Sequence, residues 1–209
     1  MTKRFTLSGL ILLSAFALMA SAHAASGACI IPAAQPPHIN IVKVRQTWLS
    51  WYNRYRARLK LPAYQLNDTL NATASVWSAN AVRRGLIDHK RTPTSSYYDY
   101  PAIEQWFKNQ GVTFVNMHGI TFTENIGWGP LKCPKDDCTD AAISAIKSTF
   151  DFYLAEKGKK SDAHYSSIIN KTFTQMGVGL AVDPKGKYYL TVHFAAKINS
   201  KTPALCQVD

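Results

Sequence analysis

Residues 175–195, QMGVGLAVDPKGKYYLTVHFA, decide the fold class of this chain. Apolar side chains alternate with smaller ones on either side of Pro184-Lys185-Gly186: Met176, Val178, Leu180 and Val182 come before it, and Leu190, Val192 and Phe194 after it. Successive side chains of a strand point to opposite faces, so the alternation predicts two strands with one buried face. The segment is therefore predicted to be a β-hairpin.

Upstream of the hairpin, apolar residues recur at helical spacing. Five helices are predicted: residues 41–60, a second that Asp68 caps and Gly85 ends, a short one at 103–109, a fourth from the cap Asp140 to Gly158, and a short one at 164–170. Residues 121–128 predict a strand that runs into a glycine turn. This order predicts a mixed α+β fold, with helices stacked on an antiparallel sheet.

Four ionisable side chains stand at or near the ends of these elements or within the strand: His89, Glu124, Glu156 and His164. Imidazoles and carboxylates are the groups from which proteins build divalent-metal or acid–base sites. Each also has an ordinary structural explanation. A histidine at the C-terminal end of a helix, for example, is stabilised by the negative end of the helix dipole. Glu124 is the least ordinary, because a buried glutamate in a strand needs a cationic or hydrogen-bonded partner.

Three other polar residues receive structural interpretations. His118 is predicted to be an exposed loop histidine. His193 points away from Val192 and Phe194, which indicates a structural or surface histidine. Asn125 is predicted to hold the turn after Glu124 through bonds to the backbone.

Five segments, in this order, resemble the CAP superfamily of cysteine-rich secretory, antigen 5 and pathogenesis-related proteins. They read WYNRYRARLKLPAYQLNDTL, ASVWSANAVRRGLIDH, TENIGWG, HYSSIINKTFTQMGVGLAV and GKYYLTVHFA. The resemblance spans about residues 41–196, and the run from His164 to Ile168-Ile169-Asn170 resembles the bacterial branch. It implies a three-layer α-β-α sandwich with a central antiparallel sheet, in a protein that is usually secreted and disulfide-bonded.

The resemblance also implies one central cleft with two histidines and two acids. His89 and His164 match the histidines, and both would ligate Zn²⁺ or another divalent metal. Glu124 matches the first acid and is the candidate catalytic residue, although Thr123 replaces the family's glycine before it.

The second acid of the cleft falls in the fourth predicted helix. The family's W-x-x-E pattern reads Tyr153-Leu154-Ala155-Glu156 here, so Glu156 is the match, with Asp151 as the alternative. The stretch 92–120 is longer than the family's and carries Tyr97, Tyr98, Tyr100 and Trp106, which would supply apolar walls beside the cleft.

Three functions are compatible with this cleft. No serine or cysteine lies in a recognised nucleophile motif, which favours a binding module for an apolar small molecule, a lipid or an envelope polymer. A metal-dependent hydrolase of peptide or cell-envelope substrates is the first alternative. The second is an envelope-interaction or host-interaction protein that acts through a basic surface.

The first 24 residues are typical of a secretory signal peptide. A positive start at Lys3-Arg4 precedes an apolar run from Leu7 to Ala20 and the small-x-small site Ala22-His23-Ala24, with a weaker cut after Ala22. Export to the periplasm or beyond is therefore predicted. Residues 25–40 would form an extended arm and 41–209 a single domain.

The net charge of +11 would fall to +9 on removal of the leader, which carries two of the basic residues. Lysines and arginines are spread along the chain, and the densest run, Arg54 to Lys60, is interpreted as a solvated helix face. Nucleic acid is therefore not an expected partner. No run in the mature chain is long enough to predict an integral membrane segment.

Four cysteines in an exported chain predict two disulfides, Cys133–Cys138 across a short loop and Cys29–Cys206 between the termini. A zinc site made of all four is the alternative. A lipid anchor on Cys29 is disfavoured, because Ser26-Gly27-Ala28 lacks the large apolar residue such a signal uses.

Overall fold

A computed structural model describes residues 38–115, 120–134 and 136–200 of the chain. The helices are α1 (Ile41–Arg58), α2 (Asp68–Arg84), α3 (Tyr100–Asn109), α4 (Thr139–Leu154) and α5 (Ala163–Ile169). The strands are β1 (Gln65–Leu66), β2 (Val112–Phe114), β3 (Phe122–Pro130), β4 (Gln175–Val182), β5 (Lys187–Ala195) and β6 (Ile198–Ser200).

The main sheet has the strand order β1-β4-β5-β3. The predicted hairpin is present as β4 and β5, and β3 pairs antiparallel with β5 in an unbroken register from Phe122↔Ala195 to Pro130↔Lys187. The two-residue β1 pairs parallel with β4, and β2 and β6 form a separate antiparallel pair. The long strand β3 therefore lies at one edge of the main sheet.

Helices cover both faces of this sheet. Met176, Val178, Leu190 and Val192 pack into one core with side chains of α1 and α4. On the opposite face α2 lies so close to β4 that a Cβ at Gly177 or Gly179 would meet its backbone, at Leu70 or Ala74. The predicted α+β three-layer α-β-α sandwich is confirmed.

The prediction of one buried face for the hairpin is wrong, since eight consecutive residues of β5, from Tyr188 to Ala195, are all buried. A sheet in the middle of three layers has no face in water. The apolar alternation marks only the α1/α4 face, whereas Tyr189, Thr191 and His193 line the other.

Several predicted ends differ from the structure. Asn67, rather than Asp68, accepts the capping bond of α2 from Leu70 N, while Gly85 ends this helix as predicted, with φ 66°. Cys138, rather than Asp140, precedes α4, which stops at Leu154 well before Gly158.

The first helix and the edge strand also differ from their predicted bounds. Helix α1 ends at Arg58 instead of residue 60. The predicted glycine turn after residue 128 is absent, because β3 continues through Gly127 and Gly129 to Pro130.

The basic run of α1 is not a uniform solvated face. Arg56 is fully buried, and its guanidinium donates to the carbonyls of Pro62, Ile168 and Asn170. It therefore ties α1 to the end of α5, whereas Arg54 and Arg58 are exposed.

The predicted disulfide Cys133–Cys138 is present, with a Cα–Cα distance of 5.6 Å. Cys29, Cys206, the leader at 1–24 and most of the arm at 25–40 lie outside the described residues. Within the described ranges, no helix has the length and apolar character that a membrane crossing needs.

Candidate functional site

His89 and Glu124 are in direct contact on the α2/α3 side of the sheet. His89 follows the end of α2, Glu124 lies within β3, and Nδ1 of His89 is 2.8 Å from Oε1 of Glu124. The Glu124 side chain is completely buried. An ionised carboxylate only accepts hydrogen bonds, so Nδ1 of His89 donates, and Nε2 is the lone-pair nitrogen of the neutral ring.

Arg91 is a further partner of Glu124 and was not predicted from the sequence. Its guanidinium donates from Nη2 to Glu124 Oε2 over 2.6 Å and from Nη1 to Oε1 over 3.2 Å. The same group packs against two indoles that also contact each other, 3.6 Å from the Trp77 ring centroid and 4.6 Å from that of Trp106. Both stacking and bidentate pairing are geometries that suit arginine and not lysine.

His193 is a second unpredicted partner, and the surface interpretation of this histidine is wrong. Its side chain is fully buried, with Nε2 2.8 Å from Glu124 Oε2 and Nδ1 2.9 Å from the Thr73 hydroxyl. His193 and Glu124 are cross-strand neighbours on β5 and β3. The register of β3 against β5, which could not be read from the sequence, is the information that would have found this contact.

The charges of this cluster follow from its contacts. Burial disfavours ionised Glu124, but the charge of Arg91 and the hydrogen bonds from His193 and His89 outweigh it and hold the pKa of Glu124 well below its ordinary value. Burial lowers the pKa of His193, against the opposing hydrogen bond and charge of Glu124. Glu124 is thus an anion with both oxygens hydrogen-bonded, and His193 is neutral.

His164 and Glu156 form a second pair on the α4/α5 side. Nδ1 of His164 is 2.7 Å from Glu156 Oε1, and Glu156 Oε2 accepts the backbone N–H groups of His164 and Tyr165. The His164 ring stacks on Tyr153, with centroids 4.4 Å apart and planes at 2°. The alternative acid, Asp151, instead pairs with Lys147 on an exposed part of α4.

The four predicted cleft residues are therefore placed as two histidine–carboxylate pairs. No hydrogen bond or ion pair among the described residues joins one pair to the other. Tyr153 lies between them: burial raises the pKa of its hydroxyl well above 10, and the charges of Glu156 and Glu124 add to this. His118 lies outside the described residues.

Asn125, beside Glu124 in β3, faces the other side of the sheet. It does not hold a turn, because its amide donates to the Ser167 hydroxyl over 2.6 Å and to the His164 carbonyl over 3.4 Å. Adjacent residues of β3 thus position the two pairs, since Glu124 holds His89 and Asn125 anchors the helix that carries His164.

Among the described residues, the candidate donors for a metal are the two histidines. In each, a carboxylate holds Nδ1, which is how proteins orient a histidine that binds a metal through Nε2. In the described ranges no three His, Cys, Asp or Glu side chains form a group that could hold a metal ion. The candidate donors are thus two separate histidines, one in each pair.

A cavity of about 510 Å³ opens at the outer edge of β3. Its floor is the strand from Ile126 to Pro130, and its walls come from Ile87 and Tyr97 on one side and from α4 and His164 on the other. Tyr97 also touches the His89 ring, with centroids 5.3 Å apart. The cavity is therefore lined by His164 of one pair, whereas Tyr97 lies between it and His89 of the other.

Aromatic side chains line this cavity and remain in water. Trp128 is 62% exposed and Phe152 is 58% exposed. The polar atoms of the walls include the His164 ring and the hydroxyls of Thr149 and Tyr188, which bond each other over 2.7 Å. Such a mixture of apolar walls and a few polar groups is typical of a ligand site of 300–1,000 Å³.

The chain is similar to known proteins in sequence pattern and in fold. A family model, the cysteine-rich secretory protein family (CAP), matches residues 49–194. No curated protein matches the chain in sequence.

Solved structures of low identity share the fold. An outer surface protein of Borrelia burgdorferi is 15% identical, with a TM-score of 0.53, over 78% of this chain and 99% of that one. The CAP domain of enterococcal PrgA is 18% identical, with a TM-score of 0.50, over 80% of this chain and 65% of that one.

Proposed function

The chain belongs to the cysteine-rich secretory protein (CAP) family, and we propose that it is an exported binding module. Its ligand is a small molecule or envelope component with an apolar body, such as a lipid. The ligand lies in the cavity at the outer edge of β3, with its polar end toward His164.

The exposed aromatic lining of the cavity is the observation that carries this proposal. Trp128 and Phe152 each leave more than half of a large side chain in water, although both stand at a concave surface. Covering apolar surface stabilises a complex by about 25 cal/mol per Å², and exposed apolar surface of this kind is typical of binding grooves.

The buried pair supports binding over hydrolysis. A general base needs an oxygen within reach of the proton that it removes. Both oxygens of Glu124 already accept bonds from His89, Arg91 and His193, and its side chain is inaccessible to water. Glu124 is therefore a positioning residue for His89 in this proposal.

Fluorescence titration with 11-(dansylamino)undecanoic acid tests the proposal. We expect the dansyl emission to increase on binding and the affinity to fall about tenfold in Trp128→Ala and Phe152→Ala, as burial of a large side chain contributes roughly 1.5–3 kcal/mol. Val42→Ala is the matched control, because Val42 is 61% exposed on α1, away from the cavity. No binding, or equal loss in the control, would overturn the proposal.

A divalent metal is the second candidate ligand, and the two oriented histidines favour it. Nε2 of His89 and Nε2 of His164 would hold the ion, which when bound would act as a Lewis acid toward an oxygen ligand. Calorimetric titration of Zn²⁺ into the mature protein tests this. We expect 1:1 binding that is lost in the His89→Ala/His164→Ala double variant, and absence of binding in the unmodified protein excludes the zinc site.

A further inference from the structure

The backbone N–H and C=O groups at the outer edge of β3 have hydrogen-bond partners over only part of the strand. Among the residues that the structure describes, β3 pairs with β5 alone, so its other edge has no partner strand there. Two tyrosines cover the beginning of that edge: Tyr98 OH accepts the N–H of Glu124 over 3.0 Å, and Tyr153 OH donates to the carbonyl of Ile126 over 2.8 Å. Glu124 and Ile126 thus direct their backbone groups away from β5.

The same geometry places the backbone of Trp128 toward the cavity. Backbone groups of alternate residues point to the same edge of a strand, and the β3–β5 register has no bulge between residues 122 and 130. Among the described residues, the N–H of Ile126, both backbone groups of Trp128 and the carbonyl of Pro130 have no partner at this edge. These groups lie along the floor of the cavity.

We propose that the cavity accepts an extended peptide segment, which pairs with the outer edge of β3 around Trp128. This rests on the proposed function, because the peptide would occupy the same cavity as the apolar ligand. A peptide that adds a strand to a sheet gains main-chain hydrogen bonds, and its alternate side chains enter neighbouring pockets. Trp128 would contribute two of these bonds, and Ile126 N–H and Pro130 C=O one each.

Two features limit the length of the paired segment. Tyr153 already occupies the carbonyl of Ile126, and Pro130 has no N–H to donate. The usable edge from 126 to 130 covers about 14 Å at 3.4 Å per residue, which matches roughly five peptide residues. The site therefore fits a short extended segment and not a long strand.

The charges at the cavity select a peptide that carries a carboxylate. No aspartate or glutamate is among the described lining residues, the lining imidazole of His164 is already paired with Glu156, and the Lys187 ammonium lies 4.3 Å from the Trp128 ring centroid. The whole chain has a net charge of +11. An acidic side chain or a C-terminal carboxylate would complement these groups.

A matched pair of variants separates the backbone of Trp128 from its side chain. Trp128→Ala removes the indole and keeps the N–H, whereas Trp128→Pro removes both. Proline is tolerated at an edge strand where the N–H does not serve the ladder. Circular dichroism and thermal unfolding establish that both variants fold.

The probe is a synthetic pool of randomised heptapeptides with free C-terminal carboxylates, selected on the mature protein. We expect selected peptides to bind Trp128→Pro about fivefold more weakly than Trp128→Ala, the effect of one hydrogen bond. N-methylation of the central peptide amide should weaken binding similarly. In the unmodified protein, amide exchange at Ile126 and Trp128 should slow when peptide binds.

The outcomes distinguish the peptide inference from the apolar-ligand function on which it rests. The peptide inference is overturned if no peptide is selected, if the alanine and proline variants bind equally, or if the two amides exchange at unchanged rates. The dansyl fatty acid is the control, since it needs the indole and not the N–H. Dansyl binding without peptide binding preserves the apolar-ligand function and removes the peptide, and failure of both removes the two together.

Discussion

The two histidine–carboxylate pairs have the same hydrogen bond but differ in burial and in the partners of the carboxylate. Side-chain exposure is 7% and 0% for His89 and Glu124, but 24% and 10% for His164 and Glu156. Glu124 is held by a buried guanidinium and a buried imidazole, whereas Glu156 is held by backbone N–H groups at the start of α5.

The difference indicates separate tasks for the pairs. The charge of Glu124 is compensated entirely inside the protein, so this pair fixes the position of His89 and stabilises the packing of α2 against the sheet. The second pair keeps part of its imidazole in the cavity, where a ligand can contact it. Variants that disturb the buried His89–Glu124 pair should therefore affect stability strongly, and variants of the partly exposed His164–Glu156 pair should affect it much less.

Arg91→Met should produce the largest effect. It leaves the Glu124 carboxylate buried without its cation, and breaking a buried ion pair from one side costs about 3–5 kcal/mol. Methionine replaces much of the side-chain volume that packs against Trp77 and Trp106, so the loss reflects charge more than packing. Equilibrium unfolding in urea measures the change.

Arg84→Met is the control for this variant. Arg84 also lies over the Trp77 ring, at 5.1 Å, but its ion-pair partner is Asp88 and its own side chain is 34% exposed. Its loss should cost less than about 1 kcal/mol, as for other exposed pairs. Equal effects of the two variants would contradict the distinction between buried and exposed charges.

The buried pair also predicts a pH dependence of stability. His193 has a lowered pKa in the folded protein, so below about pH 6.5 the unfolded chain binds a proton that the folded one resists. The contribution of His193 to the free energy of unfolding is complete above that pH. It decreases on acidification, by up to about 1.4 kcal/mol per pH unit. Glu124, with a depressed pKa, adds a loss of the same sign below about pH 4.5.

His193→Gln is the variant that isolates the histidine. Glutamine can donate to Glu124, which still faces Arg91 and His89, but does not titrate. The free energy of unfolding, measured between pH 7 and pH 5, should then vary less steeply than in the unmodified protein. An unchanged slope would assign the pH dependence to other groups.

The fold was predictable from the sequence because its signals are local. The alternation from Met176 to Phe194 and the periodicity of α1, α2 and α4 each depend on neighbours along the chain. The layers then follow from the need to cover the sheet. The burial of the second face of β5 was missed, because Tyr189, Thr191 and His193 carry polar groups that do not predict a buried face.

The site was predictable only in part. His89, Glu124, Glu156 and His164 stand in segments that resemble a known family, and those segments identify them. Arg91 has no such segment: its contact with Glu124, 33 residues away, depends on how the loop after α2 folds against β3. Long-range partners of this kind require the tertiary structure.

Variants of the partly exposed His164–Glu156 pair should give the smallest effects, and they distinguish Glu156 from Asp151, the two acids that the sequence left open. Glu156→Gln removes a charge-assisted bond to His164 and should cost about 1 kcal/mol, because glutamine still accepts from one backbone N–H. Asp151→Asn breaks only a surface pair with Lys147, four residues away on α4, and should cost about 0.3–0.5 kcal/mol. A thermal or urea unfolding series on both variants measures the difference.

Only Glu156→Gln should also change the affinity for the dansyl fatty acid, since Glu156 orients a ring that lines the cavity. If Asp151→Asn had the larger effect on either quantity, the role assigned to Glu156 would be wrong.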